Sequence, residues 1–325
     1  MTRSANETLG ARGAKQRRMT ESAAGDRADP MPWHRAVQHL LEAGWHLRDL
    51  PSGQVVLAIA DGPDFGLLLD ARPAPEAEVD GHGLLRAVGG GALDRALADS
   101  VTAEDAVEEV LVGFNWVLVR AGCYCGIARS PDRGTEGART ARAGEPIRGR
   151  PLRALAGWLC SLDPLRRAIG LAAVNAFWNT PDGPSPKGKW GLARFAPPGD
   201  GLVIIGGFRA AMERLPNAKI IEREPKGKDV PADRAGPALA EASAVAITAQ
   251  TLMNGSLEPL LARIAHIPIR LLVGPSAPVA QVMLDHGLTA VSGLCITDPS
   301  AARDFIAETG TMIALDQMTK PLQVT

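Results

Sequence analysis

Glycines and polar side chains follow a series of short apolar segments in the C-terminal half of this 325-residue chain. The apolar segments start near residues 201, 218, 243, 269 and 288, and each one ends in small or polar residues. Buried segments with such loops are typical of the strands of an open parallel sheet, which binds ligands beyond the carboxyl ends of its strands. We therefore predict a ligand site formed by the strand-end loops, before any catalytic group is identified.

The first two loops contain residue types found in nucleotide sites. Gly206 and Gly207 lie between a strand and a predicted helix at 208–215, where a nucleotide-binding fold places its phosphate turn. The spacing G-x-G-x-x-G is absent, so the pair indicates either a tight turn or a different anion site. Glu222 ends the second segment, where a carboxylate binds ribose hydroxyls, a cation or an amine, or lies in solvent at a strand end.

The third loop is the densest polar cluster of this half, and it precedes a predicted helix at 257–264. Its polar residues are Thr248, Gln250, Thr251, Asn254 and Ser256. Asn254 or Ser256 suits the N-cap of the helix, and the free amides of a helix start suit an anion or carboxylate. Capping accounts for only one of these residues, so we expect the others to line a ligand.

The fourth loop combines Gly274 and Ser276 with Pro275 and Pro278. The two prolines fix its shape, and Ser276 is predicted either to cap the following helix or to face the ligand.

Two asparagines lie four residues apart in an otherwise apolar helix predicted over residues 165–178. Asn175 and Asn179 therefore share one helix face, and amides in such a position must find hydrogen-bond partners. Asn175 either ties the helix to a neighbouring backbone or faces a cleft between two domains.

The pair Cys123 and Cys125 is the only cysteine pattern that suggests a soft metal. A closed site would need more ligands, and the alternative is two small core residues on opposite faces of a strand. The candidates for distant ligands are Cys160, Cys295, His82 and His286. No nucleophile elbow, P-loop or His-Glu-x-x-His motif occurs, and spacing does not rank His82, Glu222 and Asp229 as acid or base.

Composition narrows the function classes. The formal net charge is −1, which provides no general attraction for nucleic acid, and no apolar run is long enough to span a membrane. Four scattered cysteines and the lack of an apolar signal core predict a cytoplasmic protein with free thiols. The expected partner is a small molecule or metal chelate, and a homo-oligomer stays open.

The elements that must position these residues follow from apolar periodicity. Residues 1–30 are predicted to be a disordered leader, because they combine many Arg, Gly and Ser with almost no large apolar residue. The predicted N-terminal elements are a helix at 32–47, a β-hairpin of 54–60 and 65–69, a weak helix at 84–97, a strand or tight strand pair at 107–120 and an exposed loop at 130–150.

Several motifs occur together in a fixed order and carry a resemblance. They are Val112–Val119, Cys125–Ala128, Ala168–Ala176, Ile247–Ser256 and Val273–Pro278. With them the chain resembles a family of bacterial and archaeal proteins labelled "putative heavy-metal chelation domain". The likeness covers roughly residues 33–318 and is specific as a set. The chain departs from the family pattern by its Arg-rich loop at 129–150 and by Phe208-Arg209 after the glycine pair.

The resemblance implies an α/β fold: a Rossmann-like parallel sheet as C-terminal domain, joined to an α+β N-terminal domain similar to that of enolase. The implied boundaries are 31–160 and 161–325, with a linker at about 180–200. The implied cleft residues are Asn115, Asn175, Gly206, Gly207, Glu222, Thr248, Asn254, Gly274 and Ser276, to which the loop adds Thr251.

Three functions stay open on the sequence alone. The first is binding of a small anionic or metal-chelating ligand in the cleft between the domains, in metal or chelate handling. The second is an enzyme that uses a nucleotide-type cofactor, NAD(P) or S-adenosylmethionine, in chelator biosynthesis. The third is a metal or metallocluster carrier that uses Cys123 and Cys125. The cofactor is left open, with a transition metal or metal chelate as a candidate, and the sequence leaves catalysis undecided.

Overall fold

The computed structural model describes residues 45–49, 55–59, 67–69 and 91–325, the last range without 132–145, 162, 196–200, 209–213, 224, 309 and 312. The predicted leader, His82, most of the Arg-rich loop and most of the helix predicted at 208–215 lie outside the described residues. Within the part that is described, no helix is both long enough and apolar enough to cross a membrane.

The first sheet is a small antiparallel meander. Its strands are β1 (Trp45–Asp49), β2 (Val55–Ile59) and β3 (Leu67–Leu69), in the order β1-β2-β3. The β2–β3 pair confirms the predicted hairpin. The helix predicted at 32–47 is wrong at its end, because Trp45 begins a strand that pairs with β2. Trp45 and Leu47 alternate with polar residues there, and this period of two favours a strand.

A second antiparallel sheet follows in the chain. Its strands β4 (Val107–Val112), β5 (Trp116–Ala121) and β6 (Tyr124–Arg129) form the order β4-β5-β6, so the predicted tight pair at 107–120 is confirmed. The helices around it are α1 (Ala92–Asp99), α2 (Leu152–Ala156), a 3₁₀ turn (Gly157–Cys160) and α3 (Pro164–Trp178). Asp163 caps α3 by accepting hydrogen bonds from the N–H groups of Leu165 and Arg166.

Strands β5 and β6 of the second sheet are buried on both faces, which explains the apolar run Trp116–Val119. On one face Val117, Val119 and Ala128 pack in the main core with α3. The other face contributes Trp116 and Leu118 to a separate cluster with Ile296, Ala302 and Ile306 of the C-terminal half.

The large sheet has seven strands. They are β7 (Leu202–Ile205), β8 (Lys219–Glu222), β9 (Val230–Pro231), β10 (Ala244–Thr248), β11 (Ile269–Val273), β12 (Ala290–Ile296) and β13 (Thr319–Val324). Their order is β13-β12-β11-β10-β7-β8-β9. All neighbouring pairs are parallel except β12–β13. The five predicted apolar segments are therefore five parallel strands with their carboxyl ends at one edge.

Short helices connect these strands, and most of them cover the sheet face that carries the main core. They are α4 (Gly236–Ala240), α5 (Gln250–Met253), α6 (Leu257–Arg263), α7 (Gln281–Asp285) and α8 (Pro299–Ala307). The helix predicted at 257–264 is thus confirmed as α6. The core is continuous from Leu93 to Leu322 and contains residues of both halves of the chain, with α3 among its central elements. The opposite sheet face packs against Leu192 and Phe195 of a 3₁₀ turn (Gly191–Phe195).

Candidate functional site

The strand order of the large sheet reverses between β7 and β10, and the loops after these two strands meet there. Gly206 has a φ of +108°, in the region that favours glycine. A Cβ on Gly206 would lie 2.6 Å from Thr248 Cγ2, so the two loops are in contact. Open α/β sheets bind ligands at such a reversal, outside the carboxyl ends of the strands. The geometry therefore brings together two residues that were predicted to share a site.

Gly207 joins this contact to the neighbouring strand β8. A Cβ on Gly207 would lie 2.6 Å from Glu222 Oε1, which places the carboxylate over the exposed glycine. The Gly206 N–H donates to Ile221 O (3.0 Å) and the Phe208 N–H donates to Gly206 O (3.0 Å). Among the described residues the Gly207 N–H has no acceptor.

The loops that follow β8, β7, β10 and β11 lie in this order along the sheet edge, and we call them the loop row. The loop row continues past β10 toward the N-terminal half of the chain. A Cβ on Gly274 would lie 3.4 Å from Ala249 Cβ, and the Ala249 N–H donates to Val273 O at 3.0 Å. Ser276 is buried, and its Oγ accepts a hydrogen bond from the N–H of Arg129 at 2.9 Å. The prediction that Ser276 caps the next helix is wrong, because α7 starts only at Gln281 and the hydroxyl is engaged with β6.

The polar cluster after β10 is largely occupied by local hydrogen bonds. Thr251 is buried and donates to Thr248 O at 2.7 Å, while Thr248 Oγ1 accepts from the Gln250 N–H at 3.4 Å. Asn254 Oδ1 accepts from the N–H and hydroxyl of Ser256, at 3.1 and 2.6 Å. The predicted N-cap of the following helix is therefore wrong in its chemistry: Ser256 occupies the cap position of α6, but no side chain caps it.

The two asparagines of α3 tie the halves of the molecule together. Asn179 donates to Ala277 O (2.9 Å) and Leu294 O (3.1 Å) and accepts from the Val279 N–H (2.8 Å). Asn175 is 1% exposed and donates to Ile127 O at 2.8 Å. This hydrogen bond to a neighbouring backbone is one of the two alternatives that the sequence left open for Asn175. Its Oδ1 is buried, and no donor among the described residues bonds to it.

Asn115 lies in the tight turn between β4 and β5, next to the end of β6. Its carbonyl oxygen accepts a hydrogen bond from the Ser130 N–H at 2.9 Å. This places Asn115 near Arg129, at the N-terminal side of the loop row.

Among the described residues, the cysteines do not form a metal centre. Cys123 is exposed in the β5–β6 turn, whereas Cys125 is buried in β6, where burial raises the pKa of its thiol to about 12. Burial also raises the thiol pKa of Cys160 and Cys295. Across the described ranges, no three His, Cys, Asp or Glu side chains come together as a metal site. Asp229 accepts from the Lys226 N–H at 2.9 Å.

Two arginines were missed in the sequence. Arg129 borders the loop row through Ser276, and its only signal was its place after the Cys125–Ala128 motif. Arg167 is buried and bonds Asp94 Oδ2 (2.6 Å), Leu252 O (2.7 Å) and Leu159 O (2.8 Å), so it links α1, the 3₁₀ turn and α5. Burial raises the pKa of the Asp94 carboxyl, and the Arg167 guanidinium opposes that shift.

Two surface cavities lie away from the loop row. One, of about 460 Å³, is bordered by Lys187, Lys189 and Arg194, and the other, of about 310 Å³, is bordered by Glu258 and Arg270. Neither of these two cavities includes a residue of the strand-end loops.

Comparison with known proteins agrees with this architecture. No curated protein matches the chain. A protein of unknown function from the DUF364 family of Desulfitobacterium hafniense shares the fold with a TM-score of 0.64 and 23% identity, over 72% of this chain and 97% of its own. A second protein of unknown function from that family, from Pyrococcus horikoshii, has a TM-score of 0.57 and 17% identity, over 71% of this chain and 97% of its own.

Two family models also match, over residues 95–178 and 193–324, and both are described as "Putative heavy-metal chelation". The first covers the antiparallel sheet with α3, and the second covers the parallel sheet with its strand-end loops. The chain belongs to this uncharacterised heavy-metal chelation family.

Proposed function

We propose that the chain binds a small anionic or metal-chelating molecule along the carboxyl edge of the large sheet, in the metal or chelate handling that the family description suggests. The observation that carries this proposal is the contact between Gly206 and Thr248 at the reversal of strand order. Gly206 has a φ of +108° and no room for a Cβ. Because no side chain projects from the turn at this position, a ligand can approach the Gly207 N–H.

The strand order supports a Rossmann-like architecture for this half. Counted from β7, the order is 3-2-1-4-5-6 with an added antiparallel edge strand, which is that of dinucleotide-binding sheets. The antiparallel meander β4-β5-β6 followed by helices supports the enolase-like assignment of the other half.

Binding is tested by calorimetry on the full chain with three probes: Ni²⁺, citrate and nickel citrate. We expect citrate or nickel citrate to bind, and Gly206→Ala to weaken binding about tenfold or more, equivalent to roughly 1.4 kcal/mol. Gly188→Ala is the matched control, because Gly188 has a φ of +109° and nothing within 4 Å of an added Cβ. Gly207→Ala provides a variant without backbone strain.

No binding of any probe by the wild-type chain, together with no small molecule in native mass spectra, would overturn the proposal. If Gly206→Ala and Gly188→Ala lower the affinity for the probe equally, the loss is caused by backbone strain and not by the site.

A nucleotide-type cofactor is the second candidate, and one observation favours it. Glu222 ends the strand next to β7 and places its carboxylate over the glycine turn, where nucleotide sheets bind ribose hydroxyls. We expect NAD⁺ or S-adenosylmethionine to raise the melting temperature, and Glu222→Gln but not the exposed control Glu308→Gln to remove the shift. Absence of any shift in the wild-type chain would reject this candidate.

The carrier hypothesis has less support. It needs two accessible thiolates, whereas Cys125 is buried and its pKa is raised to about 12.

A further inference from the structure

Arg129 stands where the N-terminal half borders the row of loops. It is the last residue of β6, directly across from Trp116 in the β5–β6 register. Its N–H donates to Ser276 Oγ at 2.9 Å, and Ser276 lies two residues after Gly274, which touches Ala249. The backbone of Arg129 is therefore fixed beside the loop that follows β11.

Arg129 is half-buried, and its guanidinium has no counter-ion among the described residues. Its Cζ lies 5.8 Å from the centroid of the Trp116 ring, a cation–π distance, and among the described residues it forms no ion pair. Four other arginines of this structure do pair with carboxylates: Arg120 with Glu108, Arg153 with Glu104, Arg167 with Asp94 and Arg303 with Glu109. A partly desolvated guanidinium offers five N–H donors that suit a carboxylate or a phosphate.

Trp116 forms the surface against which this guanidinium lies. The residue is 1% exposed, and its Nε1–H is buried with no acceptor in the part of the chain that the structure describes. The ring is held by its cluster with Leu118, Ile127 and Ile296, and this fixes the plane against which the guanidinium stacks.

The site is therefore polarised along the sheet edge. Glu222 ends β8, and Arg129 borders the loop after β11, three strand positions away, which is about 14 Å at the usual spacing between strands. We propose that Arg129 binds the anionic group, a carboxylate or a phosphate, of the ligand in this site, and that the neutral or cationic part of the ligand lies toward Glu222. This inference rests on the proposed function and names the charge and orientation of the ligand.

Calorimetry with citrate and with pyrophosphate tests Arg129 directly. We expect Arg129→Gln to weaken the better of the two probes about tenfold or more and to flatten the dependence of its affinity on salt, because one ionic contact is lost. Arg129→Lys should recover part of the affinity, since it keeps the charge but loses the bidentate geometry. Arg148→Gln removes an exposed charge elsewhere in the same half and should leave the affinity within twofold.

The outcomes separate the two proposals. If Gly207→Ala weakens binding and Arg129→Gln does not, the role of Arg129 is overturned while the proposed function stands. If the wild-type chain binds neither citrate nor pyrophosphate, the role of Arg129 is overturned, and the proposed function is then decided by nickel citrate and by native mass spectra. Preference for citrate identifies a carboxylate ligand, and preference for pyrophosphate identifies a phosphate ligand. In both cases, weaker binding of the preferred probe by Arg129→Gln supports the inference.

Discussion

Cys123 and Cys125 are two positions apart, yet their surroundings differ in the property that controls thiol chemistry. The thiolate is the reactive form, and burial raises the pKa of Cys125 to about 12 while Cys123 is exposed in a turn. We predict that iodoacetamide at pH 8 labels Cys123 of the native chain at least about tenfold faster than Cys125, as measured by peptide mass spectrometry.

Two controls make this prediction specific. In denaturant both cysteines should react at similar rates, and Cys123→Ser should leave the slow labelling of Cys125 in the native chain unchanged. Fast labelling of native Cys125 would contradict the assigned burial and would reopen a metal site at this pair.

Residue types predicted which strand ends lie together better than they predicted the contacts of each side chain. Gly206, Gly207, Thr248 and Glu222 were predicted from their places at strand ends, and the structure brings them into contact. Thr251 and Ser276 were expected to face a ligand or cap a helix, but their hydroxyls are used by Thr248 and Arg129. A short hydroxyl side chain bonds the nearest free backbone group, and that group is set by tertiary contacts that spacing does not encode.

At the scale of elements, helix α3 lies directly against strand β6. A Cβ on Gly126 would clash with the backbone of Ala172 and Ala176, so the glycine lets the helix lie directly on the strand. We predict that Gly126→Ala destabilises the chain by about 1–3 kcal/mol, because the helix must move away and repack. Urea denaturation measures this change in the free energy of unfolding.

Gly157→Ala is the matched control for this substitution. Gly157 has helical angles and nothing within 4 Å of an added Cβ. We expect it to be neutral or to stabilise by about 0.4–1 kcal/mol, through the lower entropy of the unfolded chain. A cost for Gly126→Ala no larger than that of Gly157→Ala would refute the close packing of α3 on β6.

Periodicity predicted the elements well where a segment was buried on all sides or strictly alternating. The five parallel strands and helices α3 and α6 follow from such patterns. The helix expected at 32–47 fails at Trp45–Asp49, since this short stretch fits a period of two as well as a period of 3.6 and pairing with β2 decides between them. Strand order is not encoded in periodicity at all, so the reversal between β7 and β10 emerged only from the structure.

At the scale of the whole molecule, one buried cation joins segments that are far apart in sequence. Arg167 in α3 bonds Asp94 in α1, Leu159 in the 3₁₀ turn and Leu252 in α5, the helix that follows the site residue Thr248. The ion pair is less than a tenth exposed on either side. Both halves of the chain also share one continuous core, so we expect loss of this contact to lower the stability of the whole and not of one half.

We predict that Arg167→Met costs about 3–5 kcal/mol in the free energy of unfolding, because it leaves the Asp94 carboxyl and two carbonyl groups buried without their donor. The double variant Asp94→Leu with Arg167→Met should be more stable than Arg167→Met alone, since it removes the stranded carboxyl as well. Urea denaturation followed by tryptophan fluorescence and by circular dichroism should give coincident single transitions for all variants. A cost below about 1 kcal/mol for Arg167→Met, or fluorescence and dichroism midpoints that separate, would show that the two halves are not joined through this residue.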